Sequence, residues 1–366
     1  MKELASSQSK RLAYIDMLEC IAIILMLTYH GYLFPSDITA SGSVEVSLNY
    51  LFSSLLSPCV PLFFFANGYL LFWKEFDLKK HYLRILRMSI LMVIWGVINI
   101  AVLQFTENRP LTVSRFISTL WYWEQSYVNH FWFMHTLIAL NLFFPVFKLT
   151  YDGNKRVFTI IAVMTVLLTI GNRAVNEIYA FIMHVVFGKT DFFTEHNFFN
   201  FLNPLYKVQY RYAIAYFLTG GMMCMLKQRI VAIPAKVRNW ICGVGILLSC
   251  IGLWGTGYLL TAIHGELQHL VFGGYESPFT YLNVLFIYTL CLNWQKDNAI
   301  IKAVSGNTLA VYYMHGLFYS VFNPIMRGIP AFANVPVTIL YALSTLAVCV
   351  TTALLLRKIP IISKIL

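Results

Sequence analysis

Apolar runs of about twenty residues recur along the whole chain, separated by short polar stretches, and runs of that length predict membrane-spanning helices. Ten spans are expected, at residues 12–34, 51–73, 84–105, 131–148, 157–174, 210–227, 240–262, 281–294, 308–326 and 335–356. The period-2 alternation of barrel strands is absent. The expected fold class is therefore an all-α integral membrane protein, a polytopic bundle of about ten transmembrane helices. No segment outside the spans is long enough for a soluble domain, so residues 1–366 are read as one membrane-embedded domain. A cleavable signal is not expected, because the first apolar run is too long and no small-residue cleavage site follows it.

The polar residues inside these runs change the picture most. The first run, Arg11 to Pro35, carries Asp16, Glu19 and His30 in an otherwise greasy helix. At 100° per residue all three fall on one face, and about 16 Å of rise separates Glu19 from His30. Ionisable groups are costly in hydrocarbon and tend to face a bundle interior or a wet cavity. A neutral imidazole accepts a proton near pH 7, which makes His30 a candidate general base; the bland alternative is a histidine bonded to a neighbouring helix.

Charge supplies the orientation. The chain carries a net charge of +11, but only 12% of its residues are charged against about a quarter in soluble proteins. The positives sit between spans rather than in one basic block, so nucleic acid is not an expected partner. Most of the 27 Lys and Arg fall on one side if both termini are cytoplasmic. The stretch 175–188 is apolar enough to pass for an eleventh span. Such a span would move Lys227, Arg229, Lys236 and Arg238 to the other side, so 175–209 is read as one outer loop. The seven cysteines lie mostly in apolar runs without a C-x-x-C pair and read as buried small hydrophobes; no metal site is expected.

Further chemistry is scattered along the spans. In the second, Pro58 and Pro61 interrupt the helix and Asn67-Gly68 pairs an amide with a residue that permits close backbone approach. After it come Lys79, Lys80, Arg84 and Arg87, a cytoplasmic patch in which residues 80, 84 and 87 share a helix face and could hold phosphates; ordinary positive-inside charge looks the same. The fourth span opens with His130, Trp132 and His135 at the depth expected for His30, a possible wall for a sugar. In the ninth, His315 with Tyr312 one turn behind reads as a core histidine.

Taken in order, these stretches resemble the acyltransferase-3 family of bacterial membrane O-acyltransferases. The likeness rests on Arg11, Ile15, Asp16, Leu18, Tyr29 and His30, then on PLFFFANGYLL, the basic cluster, FWFMHTLIALNLFFP and NTLAVYYMH. It implies a multi-pass bacterial cell-membrane enzyme that moves an acetyl or other short acyl group from cytoplasmic acyl-CoA to a hydroxyl of a surface polysaccharide or lipid-linked sugar. Acetyl-CoA would be a co-substrate, with no bound cofactor. It also implies His30 as the essential histidine, with Asp16 and Glu19 on the catalytic face. Arg11, Lys79, Lys80, Arg84 and Arg87 would serve the CoA side, and Asn67, Trp132 and His135 the acceptor. Two positions depart from the family pattern: Glu19 stands where many members have Arg or Lys, and Asn67 where many have Ser. A transporter or flippase of a glycan or lipid-linked sugar also fits intramembrane charges and histidines, although no inverted repeat is visible.

Overall fold

The computed structural model describes residues 11–107, 112–114, 116–117 and 129–359. Among these the chain is helical and has no strands. Helix α1 spans Ala13–His30, α2 Val44–Leu56, α3 Cys59–Trp73, α4 Leu78–Glu107 and α5 Trp132–Gly153. Lys155–Val186 is one continuous helix, α6, with π-helical turns at Leu167–Gly171 and Ile182–Val186. Then follow α7 (Tyr212–Val231), α8 (Ala235–His264), α9 (Pro278–Cys291), α10 (Ala299–Ser305), α11 (Thr308–Met326) and α12 (Val335–Leu356).

Each expected span coincides with a helix, but seven stretches among the described residues are both long and apolar enough to cross a membrane. They are α1, α2 with α3, α4, α5, α6, α8 and α12. Helix α9 is apolar but short. Helices α7 and α11 are long enough, yet polar side chains such as Lys227, Arg229, His315 and Asn323 dilute their apolar character. Residues 175–186, read from sequence as loop, instead prolong α6, so that Lys155–Val186 is one apolar helix and one candidate crossing. Lys2, Lys10 and Lys364, part of the charge argument for orientation, lie outside the described residues.

Local chemistry sets many of the boundaries. Pro58 separates α2 from α3, as the sequence predicts, since proline cannot donate to the helix ladder. Asn154, Ser277, Asn298 and Asn334 cap α6, α9, α10 and α12 by accepting from backbone amides of the first turn. Gly265 ends α8 at φ +71°, a left-handed conformation that costs glycine little.

The chain clusters into two compact units. The first comprises residues 1–22, 57–76 and 154–306. In it α3 and α7 cross with almost no side chain between them: a Cβ on Gly68 would lie 2.0 Å from the Phe217 carbonyl oxygen, and one on Gly220 2.3 Å from that of Phe65. The packing reading of Asn67-Gly68 thus holds for the glycine. Aromatic rings fill the space around the crossing, with Phe65 4.9 Å from Tyr288 and Phe72 4.8 Å from Phe158 between centroids. The second unit comprises residues 23–56, 77–153 and 307–366. There Trp95 of α4 stacks on Tyr313 of α11 with planes 3° apart, and Asn99 Nδ2 donates to the carbonyls of Trp95 and Tyr313. His81, near the start of α4, bonds the Asn141 carbonyl of α5 at 2.8 Å.

Candidate active site

The last turn of a helix leaves carbonyls short of donors, and at the end of α1 side chains of α11 donate to two of them, the Leu27 carbonyl accepting from the Gly31 amide as well. Tyr319 Oη donates to the Leu27 carbonyl at 2.9 Å, and Asn323 Nδ2 donates to that of His30 at 3.3 Å. Tyr341 of α12 holds Asn323 in turn, its hydroxyl donating to Oδ1 at 3.0 Å. Gly31 makes room for this latch, because a Cβ there would stand 2.9 Å from the Tyr319 ring. His30 is thereby fixed through its backbone while its side chain stays exposed.

The imidazole of His30 faces another. Its ring centroid lies 5.0 Å from that of His315, and His315 lies 5.0 Å from His130, in the 3-10 turn Asn129–Phe131. His315 is only 1% exposed. Its Nδ1 sits 2.6 Å from the Tyr312 carbonyl oxygen. A carbonyl can only accept, so Nδ1 carries the hydrogen and the lone pair of neutral His315 is on Nε2. His130 is held by the Tyr312 hydroxyl, which donates to its backbone oxygen, and its Nε2 is buried without a hydrogen-bond partner among the described residues. Burial first, and then His315 and His30, keep the His130 imidazole well below its usual range. A Cβ on Gly316 would lie 2.6 Å from His130 Cε1, so the glycine after His315 is what admits this ring.

Asp16 is occupied differently. In the first unit Arg11 approaches it with Nη2 at 2.8 Å from Oδ1 and Nε at 3.1 Å from Oδ2, and the Ser305 hydroxyl donates to Oδ1 at 3.0 Å. Asp16 is buried and its carboxylate oxygens are engaged. Fourteen residues of continuous helix, roughly 21 Å of rise, lie between Asp16 and His30. The Asp16 bond raises the Arg11 guanidinium above its already high ordinary value. Glu19 is half-buried and, with Arg11, Asp16, Leu70, Trp73 and Lys74, lines a cleft of about 280 Å³. Near it Lys227 of α7 lies 4.3 Å above the Tyr14 ring and 5.6 Å from that of Trp73, a cation–π arrangement.

Lys79, Lys80, Arg84 and Arg87 all lie on the first turns of α4 and are exposed, so residues 80, 84 and 87 do share a helix face. Asp77 begins that helix, accepting from the Lys80 amide at 2.9 Å, and this bond leads the effects that lower its carboxyl below the usual range. Asn67 is half-buried on α3 beside the glycine crossing. Trp132 and His135 open α5, both half-buried, with Trp132 edge-on to Phe133.

A family model described as an acyltransferase domain, that of acyltransferase-3, matches residues 12–354. The chain belongs to that family. The match runs from the start of α1 into the last turn of α12 and so takes in every residue of the histidine cluster. No curated protein and no solved structure matches the chain. The protein is thus a multi-pass membrane acyltransferase by family.

The sequence points to His30 and His130 and reads His315 as a core histidine, which its burial and its bond to Tyr312 bear out, but it does not single out Tyr319 and Asn323. A signal was present: Tyr312, His315 and Tyr319 recur at i, i+3 and i+7, one polar stripe on a helix. The latch has a measurable consequence. Replacing Asn323 by Leu leaves the His30 carbonyl and the Tyr341 hydroxyl without this partner, a loss of about 1 kcal/mol per bond. Acyl transfer should fall several-fold with the protein still folded, and an unchanged rate would show that the latch does not set the His30 position.

Proposed function

We propose that this acyltransferase moves an acetyl or other short acyl group from cytoplasmic acyl-CoA to a hydroxyl of a surface polysaccharide or lipid-linked sugar in a bacterial cell membrane. The observation that carries the reading is His30 itself, exposed at the end of α1 with its ring against a second, buried imidazole. Acyl transfer to a hydroxyl needs a proton acceptor beside the incoming oxygen, and a neutral imidazole serves near pH 7. The thioester is already activated, so positioning and base catalysis suffice. Trp132 and His135 belong to the acceptor side on this reading, and both termini to the cytoplasm.

The experiment is turnover of labelled acetyl-CoA by the purified protein in lipid nanodiscs, with and without lipid-linked glycan from a producing bacterium. Glycan-dependent release of CoA, with label appearing as an alkali-labile ester, is the expected result. Transport of the glycan without any label transfer would instead favour the flippase.

On the same reading the exposed cations of α4 meet CoA phosphates, and Lys79 belongs to that group. Charge-assisted contacts to phosphate are roughly twice as strong as neutral ones. Neutralising Lys80, Arg84 and Arg87 together should raise the apparent KM for acetyl-CoA about tenfold or more, while protein amount and the KM for acceptor stay put. If the donor KM holds and the protein level falls, these charges orient the chain and do nothing else.

A further inference from the structure

We propose that His315 is the proton acceptor behind His30, a positioning residue that takes up the proton His30 would otherwise hold. The inference rests on the acyltransferase reading and deepens it, assigning the basic group of the reaction to a pair of imidazoles instead of one.

Three observations carry it. His315 is the member of the cluster whose tautomer the protein dictates: its Nδ1–H is committed to the Tyr312 carbonyl at 2.6 Å, which leaves Nε2 as the basic atom. In histidine-based catalysis a bond of this kind on the far nitrogen is what orients a base. His315 is also central, with centroids 5.0 Å from both His30 and His130, whereas His30 meets the open side. A centroid separation of 5.0 Å is short enough that nitrogens of the two rings pointed at one another stand at a hydrogen-bonding distance of about 3 Å. Finally, the surroundings hold His315 in place: Tyr312 lies behind it, the Tyr319 ring is edge-on at 6.1 Å, and Gly316 lets His130 close the third side. Among the described residues the titratable groups facing His315 are His30, His130, Tyr312 and Tyr319, from α1, the 129–131 turn and α11 itself.

The step balances as follows. The acceptor hydroxyl gives its proton to the free ring nitrogen of His30 while its oxygen bonds the carbonyl carbon of the activated acyl donor. His30 passes the hydrogen on its other nitrogen to Nε2 of His315, so the positive charge rests on His315 with its Nδ1–H still held by Tyr312. Collapse of the tetrahedral adduct breaks the bond to the leaving thiolate. The proton returns through His30 to that thiolate, which leaves an ester, a thiol and two neutral imidazoles.

A double-mutant cycle on the full chain in nanodiscs tests this, with acetyl-CoA as donor and kcat, both KM values and the pH profile as readouts. His315→Gln should lower kcat by about 10²-fold, leave both KM values within a factor of about two, and shift the acid limb of the kcat profile. In His30→Gln the same substitution should cost less than about threefold more, because a proton acceptor that acts through His30 has nothing left to accept. His315→Asn is the second variant should Gln disturb folding, since its amide can still donate to the Tyr312 carbonyl. Losses that multiply in the double variant, or a lowered kcat with an unmoved pH profile, overturn the relay and leave the acyltransferase reading intact. A wild-type protein that transfers no acyl group overturns both.

Discussion

Replacing His30 by Gln should abolish nearly all acyl transfer while the protein still reaches the membrane in normal amount. General-base assistance is worth about 10²–10⁴-fold, and glutamine keeps polarity and approximate size but cannot accept the proton. The structure sharpens the expectation of normal folding. His30 is fixed through its carbonyl, bonded to Asn323, and among the described residues its exposed ring meets the rings of Tyr29 and His315, so the side chain contributes little to packing. The measurement is the initial rate of label transfer from acetyl-CoA, normalised to folded protein by size-exclusion chromatography. Retention of more than about a tenth of the wild-type rate would remove His30 from the role of base. His135, on the first turns of α5, would then be the next imidazole to substitute.

The second large effect is on folding, at the crossing of α3 and α7. Gly68→Val places a Cβ 2.0 Å from the Phe217 carbonyl oxygen, and Gly220→Val places one 2.3 Å from the Phe65 carbonyl oxygen and 2.6 Å from the Tyr69 amide. Neither neighbour is a side chain that can swing away. Both are backbone within helices, so the two helices must part. Overpacking of a core costs about 1–3 kcal/mol when side chains can adjust, and more is expected where they cannot. Close helix contact is also what small residues supply in membranes, where lipid tails remove the hydrophobic drive between helices. Either variant should lose most of its folded protein, seen as a lowered melting midpoint in detergent and a poor monodisperse yield. Gly243→Ala and Gly255→Ala on α8 are the matched controls, because among the described residues a Cβ at either place meets nothing within 4 Å beyond its own stretch of helix backbone. These should be neutral or slightly stabilising, since alanine is favoured over glycine in a helix by up to about 1 kcal/mol. Equal behaviour of all four variants would mean that the glycine contact does not hold the first unit together.

Where the helices lie, that most of them suit a membrane, and which family the chain resembles are all legible in the amino-acid sequence. These are local properties. In hydrocarbon every backbone amide and carbonyl has to be satisfied within its own helix, so hydropathy over some twenty residues places a span without knowledge of its neighbours. The break at Pro58 and the shared face of Lys80, Arg84 and Arg87 were legible for the same reason: both follow from backbone geometry within one segment. Locality failed at α6, because charge counting between spans does not register a helix that continues past the length a crossing needs. What the tertiary structure alone decided is which polar side chains meet. Asp16 and His30 sit on one face of α1 in sequence terms, yet Asp16 is taken by Arg11 and Ser305 while His30 meets His315, from a helix nearly three hundred residues further along the chain. The partner of a buried polar group is set by which helix face packs against it, and that depends on small residues such as Gly31 and Gly316, which make room for the Tyr319 and His130 rings.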